Sequence, residues 1–122
     1  MAAVDQQSDL TGSGLPLRVR PLCDGDLTAL RRLHERVRDS PEFLRVFGAA
    51  AVSFDVLLSV LRPPGRDHVA LVAEHDGAIV AVAVRAQCPD RAHTHVLVDD
   101  RYHGAGIATL LDRRIVDLAP RR

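Results

Sequence analysis

Gly104 and Gly106 stand between an apolar run, Val96-Leu97-Val98, and an amphipathic run with Ile107, Leu110, Leu111, Ile115 and Leu118 on one helical face. A strand end, a glycine turn and a helix start, in that order, expose backbone N–H groups at the positive end of a helix dipole. Glycine at the turn lets a phosphate come close to the backbone. The chemistry implied is capture of a phosphorylated cofactor. Two common phosphate loops are excluded. The chain has no lysine for G-x-x-x-x-G-K-[ST], and Thr109 stands where G-x-G-x-x-G needs its third glycine.

Upstream, His93 and His95 alternate along the same apolar run, so their imidazoles share one face of a strand. A neutral imidazole is a competent proton acceptor near pH 7. The rival use is zinc, with His103 folding back as a third nitrogen ligand. No acidic or cysteine ligand is adjacent, so no metal site is assigned. Neither Cys23 nor Cys88 lies in the glycine loop or beside His93, so no cysteine nucleophile is assigned.

The elements that would position these residues follow from pattern. Leu17–Pro21 alternates as a strand. Leu27–Arg38 is a helix, capped by Asp24 or Asp26, with Leu27, Leu30, Leu33 and Val37 on its apolar face and Arg31, Arg32, Glu35, Arg36 and Arg38 as a solvated polar side. Ser40–Phe47 is a short helical turn with Pro41 at its first position. Ser53 caps a helix over Phe54–Leu61 that Pro63-Pro64-Gly65 stops. His68–Glu74 and Ala78–Gln87 are strands joined at Asp76-Gly77, a hairpin signal. Ile79–Val84 is apolar throughout, as a strand covered on both faces should be. Ala92–Val98 is the strand feeding the glycine loop.

At 122 residues the chain has room for one domain, expected over 17–122, with 1–16 as a disordered polar tail. All 16 basic residues are arginine and the net charge is zero, so no basic field argues for nucleic acid. Arginine without lysine, with abundant Ala and Val, suggests a bacterial source of high GC content. Apolar runs fall short of a membrane span. Two isolated cysteines read as reduced thiols in the cytoplasm.

The order β-α-α-β-β-β-loop-α, with Arg20-Pro21, Val72–Ala81 and the loop His103-Gly104-Ala105-Gly106-Ile107-Ala108, resembles the GNAT acyltransferases. Their coenzyme loop has a Q/R-x-x-G-x-G/A pattern; here His103 replaces Gln or Arg. Ser40–Phe47 is similar to the bacterial protein-lysine acetyltransferase branch. The resemblance implies an α/β (α+β) fold with a mixed, mostly antiparallel sheet flanked by helices. It also implies a chain that stops before the family's C-terminal strands, leaving an open edge on which two copies could pair.

It further implies acetyl-coenzyme A, or another acyl-coenzyme A, as co-substrate and a primary amine as acceptor, on a protein lysine or a small molecule. Backbone groups of Leu97 and Val98 would polarise the thioester. Backbone N–H groups of His103, Gly104, Ala105, Gly106, Ile107 and Ala108 would hold the pyrophosphate. His93 stands where related enzymes carry a glutamate base. The alternative is a non-catalytic module of the same fold that binds acyl-coenzyme A or a protein partner.

Overall fold

A computed structural model of the chain describes residues 7–10, 14–63, 67–87, 91–102 and 104–118. Five strands, β1 (Gln7–Leu10), β2 (Pro16–Pro21), β3 (His68–His75), β4 (Ala78–Gln87) and β5 (Ala92–Val98), lie in the order β1-β2-β3-β4-β5. Every described pairing is antiparallel, where a mixed, mostly antiparallel sheet was expected. The helices are α1 (Leu27–Val37), α2 (Pro41–Phe47), α3 (Phe54–Leu61) and α4 (Ile107–Leu118). No helix among the described residues is long and apolar enough to cross a membrane.

The disordered tail expected over 1–16 is corrected at Gln7–Leu10, which pairs with β2 from Gln7↔Val19 to Leu10↔Pro16. Backbone pairing with β2 supplies an order that polar composition does not encode.

The turn between β3 and β4 has positive φ at both Asp76 (53°) and Gly77 (79°), the geometry that matches strand twist in a two-residue hairpin. The ladder slips at Ala73/Glu74, where Ala73 pairs with Ala81 but Glu74 with Ile79. Val80 is the extra residue. It turns Ile79 onto the face of Val82 and Val84, which strict alternation forbids.

The two faces of the sheet are covered differently. One packs Val72, Val82, Val84 and Leu97 against α1, α2 and α3 through Leu30, Leu33, Phe43 and Leu57. The other packs Leu71, Ala73, Ala81 and Ala83 under Ile107, Leu111 and Ile115 of α4. The three alanines leave room for α4 to lie close to the sheet. β4 is buried from Ile79 to Val84, as its apolar run predicts.

α2 begins as its sequence dictates, with Ser40 Oγ accepting from Phe43 N–H at 3.1 Å and Pro41 in the first turn. It ends at Gly48, whose φ of 85° and ψ of 163° belong to glycine. His34 of α1 is buried between Phe43 and Phe54, its Nε2 2.7 Å from the Ala51 carbonyl. A carbonyl only accepts, so Nε2 carries the proton.

Arg20, Asp26 and Glu74 tie β2, β3 and the turn before α1 together. The Arg20 guanidinium donates to both Asp26 oxygens at 2.7 and 2.6 Å, and its Nε donates to Glu74 at 3.1 Å. Arg20 holds the Asp26 carboxyl down at about 2, against the opposing effect of burial. A carboxyl depressed in the folded state stabilises the fold above its unfolded pKa and loses that contribution as pH falls through its folded value. Urea unfolding from about pH 5 to pH 2 should therefore show a loss of about 2 kcal/mol that Asp26→Asn lacks. Equal pH slopes in both proteins would refute this.

Candidate functional site

A cleft of about 520 Å³ opens between α2, the end of β5 and the start of α4. Phe43, Val46 and Phe47 form one wall, Val96, Leu97 and Val98 the floor, and Gly104, Gly106, Ile107, Ala108 and Thr109 the opposite rim. Ser40, Glu42, Asp100 and Tyr102 add polar groups. Of the residues expected to hold a cofactor, Leu97, Val98, Gly104, Gly106, Ile107 and Ala108 all line it. Ala105 packs instead against the core beneath α4. His103 lies outside the described residues, as does Cys88.

The glycine rim has the geometry its sequence demands. Gly104 and Gly106 have φ of 81° and 86°, a region side chains disfavour. The N–H of Leu110 donates to the Gly106 carbonyl at 3.1 Å. The N–H groups of Ile107, Ala108 and Thr109 therefore precede the helical ladder, at the positive end of α4 and on the wall of the cleft.

The floor corrects one expectation. Asp99 N–H donates to the Val80 carbonyl at 2.8 Å, and Leu97 pairs with Val82. Alternate residues of a strand turn their backbone groups to the same side. Leu97, like Asp99, therefore directs its N–H and C=O to β4 and gives the cleft only its side chain. Val96 and Val98 direct theirs away from β4, to the side on which no described strand pairs. The backbone groups that face this open side are thus those of Val96 and Val98, not those of Leu97.

His93 does not line the cleft. It pairs with Ala86, two residues beyond His95 on the face that carries Leu97. His95 sits closer, its ring 5.6 Å from that of Phe47. Burial and then the neighbouring His93 push the His95 pKa below its usual 6.5, so it is neutral at pH 7. Among the described residues, no three His, Cys, Asp or Glu side chains gather as a metal site.

Sequence reasoning missed the support of the loop. Asp99 is buried, with Oδ2 accepting from Arg36 Nε at 2.7 Å and Arg101 Nη2 at 3.0 Å, and Oδ1 accepting from Arg101 N–H at 3.1 Å. Burial alone would raise its pKa; the bonds from Arg101 and Arg36 outweigh this and lower it. The polar side of α1 is thus not simply solvated. Arg36 is bonded to Asp99, and the Arg31 guanidinium lies 4.3 Å from the centre of the Phe54 ring. The chain interval from Arg36 to Asp99 hid this pair; the wall residues of α2 were equally illegible, although Ser40-Pro41 fixed their helix.

No protein-family model matches the sequence, and no curated protein matches it. Solved structures do. The GNAT domain of S. lividans PAT matches with a TM-score of 0.76 and 22% identity, over 97% of this chain and 73% of that one. The ribosomal-protein-S18-alanine N-acetyltransferase from Escherichia coli matches with a TM-score of 0.61 and 19% identity, over 84% of this chain. This chain spans 58% of that enzyme's length. The PaiA N-acetyltransferase from Thermoplasma acidophilum, solved in complex with coenzyme A, matches with a TM-score of 0.54 and 19% identity, over 82% and 70% of the two chains. The cleft is thus built between the edge strand and the glycine-led helix of a GNAT fold.

Proposed function

We propose that the chain binds acetyl-coenzyme A, or another acyl-coenzyme A, in this cleft and transfers the acyl group to a primary amine in a ternary complex. One observation carries the reading: a left-handed glycine pair and a helix N-terminus face the outward backbone of Val96 and Val98 across a single cleft. The N–H groups of Ile107, Ala108 and Thr109 hold the pyrophosphate. The outward groups of Val96 and Val98 align the pantetheine arm and polarise the carbonyl as its charge develops. The co-substrate supplies an activated acyl group on sulfur. The amine forms the new C–N bond, the C–S bond breaks, the nitrogen's proton passes to a base and the thiolate takes up a proton.

The base in this reading is His93, and the acceptor is an amine on a protein lysine or a small molecule. His93→Ala should slow thiol release from acetyl-coenzyme A, assayed against a panel of amines, by about a hundredfold, with little change in coenzyme affinity. Equal turnover in native protein and variant would make His93 only a strand residue.

A second reading, a non-catalytic module binding acyl-coenzyme A, is favoured by the place of His93 outside the cleft. Coenzyme binding without turnover in the native chain would select it. A second copy adding along the open side of β5 would compete with the pantetheine arm for the same backbone groups, so pairing and coenzyme binding exclude each other there. A cytoplasmic setting suits the exposed free thiol of Cys23.

A further inference from the structure

We infer that Asp99 is a positioning residue, and that through it Arg36 of α1 holds the coenzyme-facing loop in its binding conformation. The inference rests on the coenzyme reading above, and it concerns residues that do not line the cleft. Asp99 is the first residue after β5, where the strand gives way to the turn Asp100–Tyr102 that leads to the glycines. Its backbone joins both sides of that junction: its N–H donates to the Val80 carbonyl at 2.8 Å, and its carbonyl accepts from Tyr102 N–H at 2.9 Å. The Tyr102 carbonyl in turn accepts from Ala105 N–H at 3.2 Å. A chain of hydrogen bonds thus runs from the extra residue of β4 to the residue between the two glycines.

The side chain fixes where that chain of bonds is anchored. Asp99 is 1% exposed, so its charge requires partners. Arg101 supplies one from within the turn. Arg36 supplies the other from a different layer of the fold, and its Nη2 also donates to the Ile79 carbonyl at 3.2 Å. One guanidinium therefore bridges the start of the β4 apolar run and the start of the loop. α1 packs on the opposite face of the sheet from α4. The Arg36–Asp99 pair ties α1 to the turn that leads into α4.

A loop held in one conformation binds at its intrinsic affinity, whereas one that samples others loses affinity by the fraction of time it is competent. Removing Arg36 leaves Asp99 buried with Arg101 alone, itself largely exposed. The turn gains an alternative, which is to carry Asp99 out to water.

The test compares native protein, Arg36→Gln and Arg36→Lys by calorimetry with coenzyme A and by amide hydrogen exchange without ligand. Arg36→Gln should weaken coenzyme A binding about tenfold and speed exchange from Tyr102 to Thr109, while β3 and β4 amides exchange as in the native chain. Arg36→Lys, which keeps the charge, should recover most of both. A role in global stability alone would speed exchange in β3 and β4 as well, with no selective rescue, and would overturn the inference. Unchanged loop exchange in Arg36→Gln would overturn it too. If the native chain binds no coenzyme A, the coenzyme reading fails, and the loop exchange still decides whether Arg36 and Asp99 position the turn.

Discussion

Replacing Gly106 with glutamate should lower coenzyme A affinity by about a hundredfold or more. Three effects act together. A side chain at φ 86° is strained by about 1–2 kcal/mol, which distorts the rim. A glutamate carboxylate one residue before α4 is within reach of the helix's N-terminal N–H groups and competes for them. It also repels the phosphate charge, an effect of about 1 kcal/mol at a helix terminus. A combined loss near 3 kcal/mol corresponds to about two orders of magnitude in Kd. Calorimetry on native protein, Gly106→Ala and Gly106→Glu separates the parts: alanine carries the strain, glutamate adds the charge. The graded order native, alanine, glutamate is expected, with thermal unfolding confirming that all three are folded. Equal affinity in native and glutamate proteins would remove the glycine rim from the site.

The second large effect is on stability. Phe43 is 1% exposed, its ring 5.2 Å from Phe47 and 5.6 Å from His34. It joins the core of α1 and α3 to the wall of the cleft. Phe43→Ala should cost about 3–5 kcal/mol, because the emptied volume is walled by residues from α1, α2 and α3 that cannot all collapse into it. Leu44→Ala, one position along the same helix but 39% exposed, should change stability by about 0.5 kcal/mol or less. Urea unfolding of the two variants gives the comparison. Similar midpoints would show that α2 is not part of the cooperative core.

The position of Phe43 also shows where local sequence reasoning stops. Ser40-Pro41 specified the start of a helix, because an N-cap hydroxyl and a proline at the first position act within a few residues of chain. Which side of that short helix faces the core was set by α1 and α3. The same division runs through α1. Leu30, Leu33 and Val37 follow helical spacing and are buried as expected. His34 is buried with them because Ala51 offers it an acceptor and Phe43 and Phe54 flank its ring.

By itself the sequence determined the helices, the hairpin at Asp76-Gly77, the doubly covered strand β4 and the glycine-led helix that rims the cleft. Each depends on side-chain period, on a capping group or on a backbone conformation that only certain residues tolerate, all of which operate over a few neighbouring positions. The tertiary structure alone decided the pairing of Gln7–Leu10 with β2, the extra residue Val80 that moves Ile79 to the other face, and the outward turn of Val96 and Val98 in place of Leu97. It also decided the burial of Asp99 between Arg36 and Arg101. These are settled by strand register and by charges that meet only after the sheet has formed. A one-residue slip in register reverses every face, and a buried carboxylate needs partners that the chain brings from far away.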